Sequence, residues 1–369
     1  MTIFNKGAAA VCAAAVMLAV VPAVHAAEAP PLPSFTVDWS QVSVSGLSSG
    51  AFMAVQVQTA HSADIMGAGI FAGGPYGCAR GNLTLATLSE AITSCVNIEQ
   101  VSWTPVSGKG SYLRPPVVKD LVAGTRDLAR SGAIDPVSGL ADDKVYLFSG
   151  KADHTVPQAV MTALKQWYGA FVPAAQVTGD FGTDAGHAMI TGDYKNDCPV
   201  TELPYINDCN LDGAGKTLAT IYGPLKSDPA AKGRIIAFDQ RAFVPEDSVG
   251  YDGLHDLGHL FVPEQCETGA TACKLHVVFH GCQQNQDFIG DDYWLRTGYN
   301  EHAAANDIIV LYPQTKASEK SAFNPLGMPN PKGCWDWWGF TTQDYLTKNG
   351  VQMRAVWGMV ERVANRSNR

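Results

Sequence analysis

Apolar and polar positions along the chain fall into two rhythms. Short β-branched runs predict strands at 42–45, 65–72, 144–149, 275–280 and 308–312. Between them, apolar residues at helical spacing predict helices at 50–61, 118–130, 157–168, 293–305 and 351–365. Strands that take turns with helices bury a sheet under helices on both faces, so the pattern predicts an α/β fold. No internal repeat, low-complexity tract or Ser/Thr-rich linker interrupts it, and the one Pro-rich stretch is PPLP at 30–33. A single domain over 27–369 is the economical division, with no separate substrate-binding domain expected.

The first 26 residues stand outside this pattern: Lys6 supplies a positive start, Ala8 to Val21 is apolar, and Val24-His25-Ala26 offers small residues for cleavage. That is the form of a secretory signal peptide, so the mature chain is expected outside the cell or in a periplasm. Cys12 sits inside the apolar run behind Val11, which does not suit lipid attachment. No other run reaches the ~18 apolar residues of a membrane helix, so no integral membrane association is expected. With 35 acidic against 26 basic residues the net charge is −9, which argues against nucleic acid or a polybasic membrane contact as partner. A neutral or apolar partner fits better.

Export also changes how the cysteines read. Of nine, Cys12 leaves with the signal peptide, and an even number in an exported chain points to disulfides. Many connectivities are open. The pairing expected here closes three short loops, Cys78–Cys95, Cys198–Cys209 and Cys266–Cys273, and ties one distant pair, Cys282–Cys334. Zinc is not suggested, because there is no CxxC pair and no histidine at matching spacing.

The candidate chemistry begins at VSVSGLSSGAFMA, 42–54. A β-rich run, then Gly46-Leu47-Ser48-Ser49-Gly50, then a helix-forming run is the strand–turn–helix setting of a nucleophile elbow, G-x-S-x-G. The glycines let strand and helix approach where a side chain would collide. This frame selects Ser48 as nucleophile and leaves the backbone N–H of Ser49, at the helix start, as an oxyanion donor. An acid and a histidine should follow in that order at strand ends. KVYLFSGKADHTVP runs from a strand into a loop carrying Asp153, and GDFGTDAGHAMIT offers His187. His154 is too close to Asp153 along the chain to be its partner.

One segment is out of its usual order. KLHVVFHGCQQ, 274–284, resembles the strand and His-Gly turn that carry the other oxyanion donor in α/β-hydrolases, where it precedes the elbow. Here it follows by more than 200 residues, and the helix around MRAVWGMVERVANR, which would ordinarily lead into the elbow strand, ends the chain. Joining that end to Val42 restores the order, so the expected fold is a circularly permuted α/β-hydrolase, with the backbone N–H of Cys282 as the other donor and His280 as a structural turn residue.

The segments GLSSGAFMA, SGKADHTV, GHAMIT, PYINDC, VVFHGCQQ and GCWDWW together resemble the extracellular polyhydroxybutyrate (PHB) depolymerases that carry their lipase box near the N-terminus. The resemblance implies a permuted α/β-hydrolase fold, a triad on Ser48, Asp153 and His187, an ester polymer as substrate and no cofactor or metal. It also points to Trp335 as a substrate contact, and a Cys282–Cys334 bridge would draw Trp335 towards the oxyanion turn. Trp337 and Trp338 are expected in the core, given the area an indole buries.

Other motif fragments read as structure. GAGKT at 213–217 lacks the glycine a phosphate loop needs at 210, where Asn210 stands. DCNLDG at 208–213 meets Ala219 where a calcium loop needs glutamate, and HDLGH, with His255 and His259, lacks a zincin's glutamate. Two further functions stay open from sequence: a feruloyl, acetyl or aromatic-polyester esterase on the same scaffold, and an exported polymer-binding protein without catalysis.

Overall fold

The computed structural model describes residues 29–79, 95–96, 116–270, 272–318 and 330–366, so the expected signal peptide and Cys12 lie outside the described residues. The centre of the fold is an eight-stranded sheet in the order β4-β3-β2-β1-β10-β11-β9-β8. Its strands are β1 (Val37–Leu47), β2 (Ile65–Phe71), β3 (Lys144–Phe148), β4 (Val177–Asp180), β8 (Gly233–Asp239), β9 (Leu257–Pro263), β10 (Cys273–Phe279) and β11 (Ile308–Tyr312). Between β4 and β8, β5 (Met189–Thr191), β6 (Asn196–Asp197) and β7 (Ile206–Asp208) form a small second sheet.

From β4 to β11 the strands run parallel, and β9 and β8 close the other edge in antiparallel pairing. Central parallel strands are covered on both faces, and β10 and β11 are accordingly apolar along nearly their whole length. The exceptions are paired. Ser43 and Ser45 on β1 meet the two ring nitrogens of His276 on β10, at 2.6 and 2.7 Å, and the hydroxyls of Tyr222 and Tyr299 complete this buried network. Burial pushes the His276 imidazole down to about 3, so it stays neutral.

Counting strands from β8 onwards and returning through β1 gives the spatial order 1-2-4-3-5-6-7-8, the α/β-hydrolase sheet with its chain opened between the fourth and fifth strands. The two ends of the described chain meet where that opening lies. Phe35 N–H donates to Val363 O at 2.8 Å, and Arg362 Nε donates to Leu32 O at 2.8 Å, so the C-terminal helix Val351–Val363 arrives beside the start of β1. The permutation read from motif order is thus a property of the sheet.

The predicted helix over 293–305 is two helices, Asp292–Arg296 and Tyr299–Ala305, because Gly298 takes a left-handed φ of 86° between them. The expected disulfides form as Cys78–Cys95, Cys198–Cys209, Cys266–Cys273 and Cys282–Cys334. The segment resembling a phosphate loop starts the helix Gly213–Tyr222, capped by Asp212, whose carboxylate accepts from Gly215 N–H. His255 and His259 both bond Gln286, and among the described residues no cluster has the makings of a metal site.

Candidate active site

β1 ends at Leu47 and the helix α1 (Ser49–Ala60) begins two residues later, leaving Ser48 alone in the turn. Its backbone is held at φ 57° and ψ −123°, a conformation L-residues rarely adopt, and its N–H is tied to Phe71 O at 2.9 Å. Space around it is minimal. A Cβ on Gly46 would stand 2.4 Å from the backbone of Gly50, and one on Gly50 would stand 2.3 Å from the carbonyl oxygens of Phe279 and His280. The glycine spacing that singled out Ser48 is therefore a packing requirement between β1, α1 and the end of β10.

Asp153 lies in the loop after β3 and is buried. Its Oδ1 accepts from the N–H groups of Thr155 and Val156 at 2.8 and 2.9 Å, which leaves Oδ2 for His187 Nδ1 at 2.9 Å. The His187 N–H is itself held by Thr201 Oγ1 at 2.8 Å, and Gly186 passes so close to Val200 O that a Cβ there would fall 2.2 Å away. With Nδ1–H donating to Asp153, the tautomer leaves Nε2 free to accept a proton. Ser48 and His187 line one cavity of about 160 Å³ at the C-terminal ends of the parallel strands. His154, by contrast, is an exposed loop residue.

The same cavity is lined by Ser49 and by Gly281, Cys282 and Gln283, which follow β10. The backbone N–H groups of Ser49 and Cys282 donate to no acceptor among the described residues. The turn is held from behind: Gln284 Oε1 accepts from Gly281 N–H at 2.8 Å while its Nε2 donates to Pro204 and Tyr205 carbonyls at 3.0 Å. His280 is buried, accepts from Thr315 N–H at 3.2 Å, and is pushed down to about 4 by burial, as a neutral structural residue should be. Cys282–Cys334 fastens the turn to the tryptophan loop.

That loop corrects one expectation. Trp335 is fully buried, packed edge-on against Phe279 at 5.0 Å and tilted on His280 at 5.6 Å, and it does not line the cavity. Its backbone N–H does reach the site region, donating to Ser49 Oγ at 3.3 Å. Trp337 and Trp338 are buried in the core as expected and also line the cavity. Trp337 stacks on Phe52 at 4.7 Å, and the two tryptophans meet edge to face at 5.4 Å. The turn is set by the buried Asp336, whose carboxylate gathers the N–H groups of Gly339, Phe340 and Thr341.

A strained serine at a strand–helix elbow, a histidine bonded to a buried aspartate on the wall of the same cavity and a permuted eight-stranded sheet place the chain in the α/β-hydrolase class. No family model matches it. Sequence relatives do: poly(3-hydroxybutyrate) depolymerase of Delftia acidovorans is 42% identical over 367 residues, covering 98% of this chain and 67% of the relative. Polyhydroxybutyrate depolymerase of Talaromyces funiculosus is 37% identical over 343 residues, covering 90% of this chain and 92% of the relative. Among solved structures, PHB depolymerase from Penicillium funiculosum superposes with a TM-score of 0.77 at 37% identity, covering 91% of this chain and 99% of that one. A PHB depolymerase variant complexed with an R3HB trimer matches equally, with a TM-score of 0.77 at 36% identity and the same coverage of 91% and 99%. The chain belongs to the polyhydroxybutyrate depolymerase family.

Proposed function

We propose that this chain is an exported serine esterase that hydrolyses poly(3-hydroxybutyrate) and its oligomers, with residues 1–26 as signal peptide and 27–369 as catalytic domain. Ser48 is the nucleophile, His187 the general base and acid, and Asp153 the group that fixes the imidazole. The observation that carries the reading is the strained Ser48 sharing a cavity with a His187 whose Nδ1 is already committed to Asp153.

His187 Nε2 takes the Ser48 proton as the alkoxide adds to the ester carbonyl, and Asp153 stabilises the imidazolium that results. The Ser49 and Cys282 N–H groups receive the oxyanion, and one such donor contributes about 2.7–4 kcal/mol in comparable sites. Collapse expels the alcohol end with the proton from His187; water then releases the acyl product by the same steps reversed. Trp337, Trp338 and Phe52 give the cavity an apolar wall suited to a methyl-bearing aliphatic chain. Nothing in this sequence of steps calls for a metal or organic cofactor.

Two relatives named for PHB cleavage, and a neighbour complexed with an R3HB trimer, favour this substrate over feruloyl or aromatic esters and over a binding-only role. The test is release of soluble 3-hydroxybutyrate from amorphous and crystalline PHB films by the mature protein beside its Ser48→Ala variant. Release by wild type alone supports the proposal. Cleavage of aryl esters with both films left intact would retain the triad and remove the polymer.

A further inference from the structure

Lys332 lines the same cavity as Ser48 and His187, half-buried, and its Nζ has no carboxylate partner among the described residues. No Asp or Glu contributes to the described lining of that cavity. The position is fixed from the backbone: Lys332 O accepts from Gln283 N–H at 2.7 Å, and the Cys282–Cys334 bridge clamps the two segments on either side. Desolvation pushes the ammonium below its ordinary value, and no anion among the described residues offsets it. In a chain of net charge −9, a half-buried cation on the wall of this cavity, with no anionic partner among the described residues, is placed to meet an anion that arrives with the substrate.

We propose that Lys332 binds the free terminal carboxylate of short 3-hydroxyacid oligomers, so that this site cleaves soluble oligomer acids from the carboxyl end. This rests on the polyester-hydrolase reading above. The interior of a polyester chain is uncharged, whereas every oligomer released from it carries one carboxylate at neutral pH, one monomer beyond its last ester carbonyl. In the step itself Ser48 adds to that carbonyl, the ester C–O bond breaks with the His187 proton passing to the leaving oxygen, and water then hydrolyses the acyl-enzyme. The leaving unit departs as a hydroxy acid whose carboxylate is held by Lys332; the acyl unit leaves as a new carboxylic acid, which releases its proton to solvent. A charge-assisted contact recognises the anion, and the apolar indoles on the cavity wall hold the methyl-bearing units behind it.

The experiment compares kcat/KM for the 3-hydroxybutyrate trimer as free acid and as methyl ester, in wild type, Lys332→Met and Lys332→Arg. The expected result is a wild-type preference for the acid of about tenfold, weakened by added salt, lost in Lys332→Met and largely kept in Lys332→Arg. Equal losses on acid and methyl ester in Lys332→Met would make the residue merely structural and overturn the proposal, as would no change on either. If wild type cleaves neither trimer, the polyester reading itself fails, which is a separate result from loss of the acid preference.

Discussion

Replacing Gly50 by alanine adds one methyl group at the place where the elbow helix touches the oxyanion turn. The new Cβ would lie 2.3 Å from the carbonyl oxygens of Phe279 and His280 and 2.6 Å from Phe279 C, against ordinary contact beginning at 3.4 Å. None of these atoms is the free end of a side chain, so α1 and the end of β10 must separate by roughly 1 Å. That movement falls between the two proposed oxyanion donors, Ser49 at the start of α1 and Cys282 just after β10. A misplacement of about 1 Å costs about 100-fold in rate, and loss of one donor about 100- to 1,000-fold. Overpacking adds about 1–3 kcal/mol of instability. Gly50→Ala should therefore lower kcat on a soluble ester by two to three orders of magnitude while the protein remains folded by circular dichroism. Gly192→Ala is the control, since its Cβ meets nothing within 4 Å. Gly50→Ala with kcat within threefold of wild type, at unchanged Tm, would refute the link between elbow packing and the oxyanion site.

The corrected tryptophan assignment predicts that Trp337→Ala, which loses the stack on Phe52, raises KM for the oligomer about tenfold, whereas Trp335→Phe lowers Tm with little change in KM. Breaking Cys282–Cys334 with paired serines opens a span of 52 residues and should cost about 4 kcal/mol in denaturant unfolding, if chain entropy governs the bridge. Asp143, buried and bonded to Gln58 Nε2 at 2.7 Å, is raised by desolvation to about 7 from the ordinary 3.8. Above its ordinary value the unfolded chain ionises while the folded chain keeps the proton, so stability falls as pH rises from about 4 to about 7. Asp143→Asn should flatten the Tm profile in that window and raise Tm at its upper end; a Tm profile identical to wild type would sink the assignment.

Much of this architecture was legible because local chemistry forces it. Gly46 and Gly50 announce the elbow through a steric demand that other residues cannot meet, and the order of the His-Gly turn and the terminal helix along the chain carries the permutation without reference to strand pairing. The cysteine spacings likewise led to the bridges that form. What was not legible depends on distant partners. Trp335 and Trp337 are two apart in one short segment, and which indole meets the cavity is set by the buried Asp336 carboxylate folding the backbone of 339–341 around itself. β8 and β9 escaped for a similar reason: β8 is a half-exposed edge strand, and His259 interrupts β9 while stacking on Trp294 at 3.7 Å. Lys332 carries no motif, and its place on the cavity wall, with no anionic partner among the described residues, depends on how distant segments pack.

The proposed mechanism stands or falls on a covalent bond to Ser48. Wild-type protein mixed with 3-hydroxybutyrate trimer methyl ester, quenched in acid within the first turnovers and digested, should yield a hydroxybutyryl ester on the peptide containing Ser48. His187→Ala, which removes the base for both acylation and water attack, should form the adduct far more slowly, and Ser48→Ala should give none. Rapid product release with no acylated Ser48 peptide, or an adduct on another residue, would contradict the triad assigned to Ser48, His187 and Asp153.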